Sequence, residues 1–99
     1  MSELKVSFKP SIKQLDNIKD WLIEEQELYH EGFYCNWGSI EDSFSKNKIA
    51  IIILNELVIG FVTWYEYERV TEIRITEIKV GYRRQGYGRI LIESCVLNY

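Results

Sequence analysis

Two extended segments separated by two residues constrain the fold of this chain most. The run IAIIIL, residues 49–54, is apolar and rich in β-branched residues, a pattern typical of a strand. Asn55 and Glu56 interrupt the run, and LVIGFVTWYEYE, residues 57–68, continues as a second extended segment. We therefore predict a β-hairpin, and the rest of the chain must supply elements that cover it.

A short strand and a long helix are predicted before the hairpin. Apolar and polar residues alternate from Leu4 to Phe8, and Pro10 closes that strand. Ser11 can cap the first turn of the helix, while Gln14, three residues on, reaches back. Apolar residues at helical spacing extend the helix to about Tyr29: Ile12, Leu15, Ile18, Leu22 and Ile23.

Four further features follow along the chain. HEGFYCNWGSIED, residues 30–42, mixes glycines with aromatic residues and is predicted to be a loop that ends in a helix start at Ser39 and Asp42. That second helix is short and ends near Asn47. A third extended segment runs from Thr71 through ITEIKV, residues 75–80. After Gly88, a broad apolar face predicts a last helix.

Composition limits the class of protein. A chain of 99 residues with 46% apolar residues is one small domain, residues 1–99. The N-terminus lacks the pattern of a signal peptide, and no apolar run approaches the roughly 20 residues of a membrane span, so a cytoplasmic protein is expected. Cys35 and Cys95 lie far apart without metal-ligand spacing, so we expect reduced thiols and no metal site.

Charge is distributed unevenly. Residues 1–78 carry 8 Lys and Arg against 14 Asp and Glu, a net charge of −6, whereas residues 79–99 carry four cations against Glu93 alone, a net charge of +3. All four cations, Lys79, Arg83, Arg84 and Arg89, fall within 11 residues. An acidic body with one basic loop argues against a broad nucleic-acid surface and favours a small anion bound at one place.

The basic loop lies between a predicted strand and a predicted helix. The first turn of a helix has unpartnered N–H groups and a partly positive end, which suits phosphate. Gly86 and Gly88 let an anion approach the main chain, and the arginines add charge-assisted hydrogen bonds. The spacing fits neither GxxxxGK[ST] nor GxGxxG, so a P-loop and a dinucleotide-binding loop are excluded.

The motif Arg83-Arg84-Gln85-Gly86-Tyr87-Gly88 resembles the acetyl-CoA signature Arg/Gln-x-x-Gly-x-Gly/Ala of the GCN5-related N-acetyltransferase family, and Tyr82 before it also fits. This resemblance implies an α+β, acyl-CoA N-acyltransferase-like fold: a mostly antiparallel sheet with helices on both faces, in the order β-α-α-β-β-β-α. Because the family continues with further C-terminal strands and a helix, the chain is expected to be truncated relative to it.

The resemblance also implies a coenzyme site. The main-chain amides of residues 84–89 would hold the pyrophosphate of acetyl-CoA, and the backbone of Ile78 and Val80 would pair with the pantetheine arm. Either of these two residues is the equivalent of the family's last strand valine. The residues expected to bind the coenzyme are Ile78, Val80, Arg83, Arg84, Gln85, Gly86, Tyr87, Gly88 and Arg89.

Acetyl transfer by direct attack requires a neutral amine and therefore a base. Glu77 is the first candidate for this base and Glu72 the second, although strand glutamates are more often charges paired across the sheet. The family's catalytic acid lies beyond this chain and is not assigned. Phe33, Tyr34 and Trp37 either line an acceptor pocket or pack the loop. His30 fits a helix C-terminus better than catalysis.

Three functions stay open at this point. The first is an acetyl-CoA-dependent N-acetyltransferase, or its N-terminal part, acting on a small-molecule or peptide amine. The second is a catalytically inactive acyl-CoA-binding or dimerisation module, and the third is an RNA- or nucleotide-binding domain, which the acidic body disfavours. The truncation would leave the ITEIKV strand as an open edge, so a homodimer or a completing chain is expected as partner.

Overall fold

The computed structural model describes residues 3–29 and 36–97. Four strands and three helices follow one another in the predicted order β-α-α-β-β-β-α. Within the described residues, no helix is both long and apolar enough to cross a membrane. The elements are β1 (Leu4–Ser7), α1 (Ile12–Tyr29), α2 (Trp37–Ser45), β2 (Ile49–Leu54), β3 (Leu57–Tyr67), β4 (Val70–Ile78) and α3 (Tyr87–Leu97).

The four strands form one antiparallel sheet in the order β1-β2-β3-β4. The predicted hairpin is β2 and β3, joined through Asn55 and Glu56, whose φ angles are 50° and 70°. Glu68 and Arg69 join β3 to β4 with φ angles of 44° and 74°. Two positive φ angles in a two-residue loop match the right-handed twist of the strands, so both connections are tight.

Helices cover both faces of the sheet, as predicted. On one face, α1 and α2 pack against alternate residues of β2 and against Phe61. On the other face, α3 contributes Leu91 and Cys95 to a second cluster with Ile52 and Trp64. Successive side chains of a strand point to opposite faces, so the apolar run of β2 is buried on both. This explains why that run shows no alternation.

The first helix starts where its capping pattern predicts, whereas the second starts earlier than its capping pattern predicts. At α1 the predicted capping box is present: the Gln14 N–H donates to Ser11 Oγ at 3.1 Å, and the Ser11 N–H donates to Gln14 Oε1 at 2.9 Å. The second helix begins at Trp37, two residues before the predicted Ser39, and ends at Ser45. Burial of the Trp37 ring in the α1 face of the core explains the earlier start.

The third extended segment also ends earlier than predicted. β4 ends at Ile78 rather than at Val80, because the Val80 N–H turns away to a side chain and Gly81 takes a left-handed φ of 98°. In the described residues, β4 pairs with β3 alone, and its other edge has no neighbouring strand. The end of β4 and the start of α3 therefore lie side by side at one open edge.

Candidate active site

A groove of about 790 Å³ runs along the open edge of β4 to the N-terminus of α3. Its walls come from the C-terminal part of α1, the end of β4 with the loop after it, and the first turn of α3. The first candidate base and all residues predicted to bind the coenzyme line this groove except Gln85 and Tyr87: Glu77, Ile78, Val80, Arg83, Arg84, Gly86, Gly88 and Arg89. The tertiary structure thus brings the strand and loop candidates together.

The two exceptions shape the loop instead. Gln85 Nε2 donates to the Gly81 carbonyl at 3.3 Å and so ties the two ends of the loop together. Tyr87 is partly buried and packs against the cluster between α3 and the sheet. Their side chains therefore support the loop from within, and the prediction that they bind a ligand rests on their main-chain amides.

One end of the groove is suited to an anion. The first main-chain hydrogen bond of α3 runs from the Ile90 N–H to the Gly86 carbonyl at 3.1 Å, so the amides of residues 87–89 precede the helical ladder. Arg84, which precedes α3, and Arg89, in its first turn, also line the groove. Arg89 Nε donates to Glu93 Oε1 at 2.8 Å, which raises the pKa of the guanidinium and keeps it charged.

Gly86 is needed at this end for its backbone conformation. Its φ is 87°, a left-handed value that side chains with a Cβ rarely adopt. A Cβ at Gly86 would meet no atom within 4 Å, so the space above it is open. The loop therefore exposes its main chain at the place where the groove meets the helix N-terminus.

The other end of the groove is acidic. Glu77 on β4 and Glu25 on α1 are both buried, with 6% of each residue exposed. Arg83 lies between them: its Nη2 contacts Glu77 Oε1 and lies 3.5 Å from Glu25 Oε1. One guanidinium therefore pairs with two carboxylates. The three groups together carry a net charge of −1 when all are ionised.

This arrangement changes the proton affinity of Glu77. Burial raises the pKa of its carboxyl above the ordinary value of 4.5; the Arg83 charge opposes this shift, and the negative charge of Glu25 adds to it. The net direction is upward. A buried carboxylate with a raised pKa accepts a proton more readily than an exposed one does, which is the property required of a general base.

The backbone at the end of β4 already has partners on the groove side. The Val80 N–H donates to Glu25 Oε1 at 2.8 Å, and the Ile78 carbonyl accepts from Arg83 Nε at 2.8 Å. The Lys79 N–H donates to the Ile59 carbonyl in β3 at 2.7 Å, so residues 78 and 80 face the open edge. An extended ligand that pairs with these two groups must displace Glu25 or Arg83 from them.

Sequence reasoning missed Glu25, Tyr29 and Thr76, which also line the groove. Glu25 could have been found, because it lies three residues after Leu22 and four after Trp21, and so falls on the buried stripe of α1. A carboxylate in an apolar stripe signals a buried partner. Tyr29 and Thr76 carry no comparable signal in the sequence.

Two other predicted candidates lie elsewhere. Glu72, the second candidate base, is exposed on β4 opposite Tyr65 and does not line the groove. Trp37 belongs to the core, with the Lys19 ammonium 5.7 Å from its ring centre, so of the two interpretations of this residue packing is confirmed. His30, Phe33 and Tyr34 lie outside the described residues.

Comparison with known proteins identifies the fold. No protein-family model and no curated protein matches the sequence significantly. Among solved structures, a GNAT-family acetyltransferase from Bacillus cereus matches with a TM-score of 0.71 and 20% identity, covering 97% of this chain and 63% of that protein.

Two further matches were crystallised with coenzyme A. The PaiA N-acetyltransferase of Thermoplasma acidophilum, in complex with coenzyme A, has a TM-score of 0.68 and 18% identity, over 96% of this chain and 70% of that one. The diaminobutyrate acetyltransferase EctA of Paenibacillus lautus, with its substrate and coenzyme A, has a TM-score of 0.64 and 13% identity, over 95% and 57%. The described elements therefore have the fold of the GCN5-related N-acetyltransferases.

Proposed function

We propose that this chain binds acetyl-CoA and carries the coenzyme-binding part of an N-acetyltransferase that acts on an amine. The observation that carries the proposal is the single groove that joins a basic helix N-terminus to a buried glutamate pair. The coenzyme A in two of the similar structures supports the same ligand class. Because the chain spans only 63% of the Bacillus cereus protein, its activity by itself belongs to the proposal.

The residues present fit this co-substrate. The open space above Gly86 admits a pyrophosphate to the amides of residues 87–89, and Arg84 and Arg89 supply two cations beside it. Ile78 and Val80 line the same groove, and their backbone is proposed to pair with the pantetheine arm. Acetyl-CoA would supply an activated thioester carbonyl: direct attack by the acceptor amine forms the C–N bond, the C–S bond breaks, and coenzyme A leaves as its thiolate.

Glu77 is proposed as the general base. The amine must lose a proton to become a neutral nucleophile, and the Glu77 carboxylate takes that proton directly or through one water. Arg83 contacts the same carboxylate and stabilises its charged form, which works against this role. The ion pair favours the second candidate function, an inactive acyl-CoA-binding module, and turnover with bound coenzyme distinguishes the two.

The coenzyme site can be tested with a matched pair of glycine variants. Gly86→Ala and Gly81→Ala introduce the same methyl group at positive φ values of 87° and 98°, and neither Cβ meets an atom within 4 Å. Only Gly86 lines the groove. In calorimetric titrations, we expect Gly86→Ala to weaken acetyl-CoA binding by at least about tenfold and Gly81→Ala by less than about threefold. Equal losses, or no saturable binding by the unmodified chain, would sink the assignment.

A second copy of the chain is proposed as a partner at the open edge of β4. Val70 at the start of β4 is 61% exposed, and residues 70–75 do not line the groove, so an antiparallel pairing of this part of β4 with its own copy is self-complementary and leaves the groove open. Analytical ultracentrifugation from micromolar to millimolar concentration should show a dimer. Val70→Lys should abolish it, whereas Ile12→Lys, at a 69% exposed position on α1, should not. A monomer at millimolar concentration contradicts this proposal.

A further inference from the structure

A side chain from α1 occupies part of the backbone at the end of β4. The Val80 N–H, one of the groups proposed to pair with the pantetheine arm, donates to Glu25 Oε1 at 2.8 Å. A backbone N–H carries one hydrogen, so it cannot form full hydrogen bonds to this carboxylate and to a ligand at the same time. Coenzyme binding as proposed therefore requires that Glu25 leave Val80.

Glu25 forms contacts through only one of its two oxygens. Its Oε1 also lies 3.5 Å from Arg83 Nη2, whereas its Oε2 is buried and has no hydrogen-bond partner among residues 3–29 and 36–97. A buried carboxylate oxygen without a donor has lost the hydrogen bonds that it had in water and gained none, which costs free energy. The carboxylate is therefore held at Val80 by fewer contacts than a buried carboxylate can form.

A second position for this carboxylate is available one helical turn back on α1. Glu25 and Trp21 both line a cavity of about 100 Å³ that adjoins the groove. In the described part of the chain, the buried Trp21 Nε1 has no acceptor, and Lys79, which lines the same cavity, has no carboxylate within 4 Å of its ammonium. Residues four apart on a helix are neighbours, so a rotated Glu25 side chain reaches this cavity. A donor and a cation are available to the carboxylate there.

We propose that Glu25 is an autoinhibitory latch with two positions. In the closed position, its carboxylate occupies the Val80 N–H. In the open position, the carboxylate lies in the cavity, accepts the Trp21 indole N–H and approaches Lys79. Coenzyme A favours the open position, because only that position leaves the Val80 N–H to the pantetheine arm. This inference rests on the proposed function and adds a regulation of the same site, since opening the latch lowers the apparent affinity for coenzyme A.

Two substitutions should change coenzyme A affinity in opposite directions. Glu25→Ala removes the closed position, so calorimetric titration should give a dissociation constant at least about threefold lower than that of the unmodified chain. Trp21→Phe removes the donor of the open position and keeps the closed contact, so the dissociation constant should be at least about threefold higher. The control is Glu27→Ala, which removes the same charge at an exposed position of α1 and should change the dissociation constant by less than about twofold.

The Trp21 indole reports the open position directly. In proton–nitrogen NMR spectra, its N–H resonance is assigned by its loss in Trp21→Phe. This resonance should shift downfield when coenzyme A saturates the unmodified chain, because the indole gains a charged acceptor. The same titration of Glu25→Ala should show no downfield shift. A Glu25 side chain that only fills space beside Trp21 would leave the resonance in place.

The outcomes separate the latch from the proposed function. Equal or weaker coenzyme A binding by Glu25→Ala overturns the latch, and so does an unshifted Trp21 resonance in the saturated chain. If Glu25→Ala does not fold, the resonance in the unmodified chain still decides. Coenzyme A binding by the unmodified chain without these effects overturns the latch alone. Absence of binding by both the unmodified chain and Glu25→Ala overturns the proposed function and the latch with it.

Discussion

Replacing Glu77 by Gln is expected to lower the turnover number by at least about 100-fold, the usual contribution of a general base, while coenzyme A affinity changes by less than about threefold. Glutamine keeps the size of the side chain and one oxygen that can accept from Arg83, but it cannot accept the amine proton. The measurement combines steady-state acetylation of a primary amine with calorimetric titration of coenzyme A. Together the two experiments distinguish a loss of turnover from a loss of coenzyme A binding.

The control for this variant is Glu72→Gln. Glu72 lies on the same strand, is exposed and does not line the groove, so its turnover number should stay within about twofold of the unmodified chain. Unchanged turnover in Glu77→Gln would disprove the assignment of the base. Coenzyme binding without turnover by the unmodified chain would favour the inactive binding module.

The Glu77→Gln substitution is also expected to change how the free energy of unfolding depends on pH. The pKa of Glu77 is raised in the folded state, mainly by burial, so the fold favours the protonated form. The stability that this provides is fully present below the ordinary pKa of 4.5 and is lost as the pH rises through the folded-state pKa. Denaturant unfolding should therefore show the variant gaining stability relative to the unmodified chain above pH 4.5. A constant difference across this range contradicts the direction of the shift.

Gly60→Ala is expected to destabilise the protein by about 2 kcal/mol, equivalent to a fall of about 10 °C in Tm. A Cβ at Gly60 would lie 2.5 Å from Ile78 Cδ1 and 2.9 Å from the Glu77 carbonyl oxygen. The Ile78 side chain can rotate, but the carbonyl belongs to β4, so the strand must move away from β3. Thermal unfolding measures the loss.

The matched control is Gly38→Ala in α2. A Cβ there meets no atom within 4 Å, and alanine is the better helix former, so this variant should be stabilised by up to about 1 kcal/mol. Because Glu77 and Ile78 line the groove, Gly60→Ala should also weaken coenzyme A binding in protein that is still folded. A Tm unchanged from that of the unmodified chain would show that β3 and β4 are not packed this closely.

Local patterns were sufficient to predict the elements. The capping box at Ser11 and Gln14, the apolar run of β2 and the interruption at Asn55 and Glu56 all depend on neighbouring residues, and each was confirmed. The loop from Arg83 to Gly88 was also predicted from its own composition, and it lies between β4 and α3 as expected. Predictions failed at the start of α2, where burial of Trp37 outweighed the capping pattern at Ser39.

The acidic end of the groove could not be predicted in the same way. Glu25 and Arg83 are 58 residues apart, and their contact depends on how α1 crosses the sheet. The resemblance implied that the backbone of Val80 pairs with the pantetheine arm, and in this structure the Val80 N–H donates to Glu25 Oε1, a contact that the sequence did not indicate. A side chain from another element can form a hydrogen bond with a backbone group that has no partner within the sheet.

The sequence by itself determined the order of elements, the hairpin and the glycine-arginine loop at the start of α3, because capping, alternation and glycine conformations act over a few residues. Only the tertiary structure decided that Glu25, Glu77 and Arg83 meet at one end of the groove and that Glu72 lies outside it. Buried charge pairs form between residues distant in sequence, and their positions are set by the packing of whole helices against the sheet.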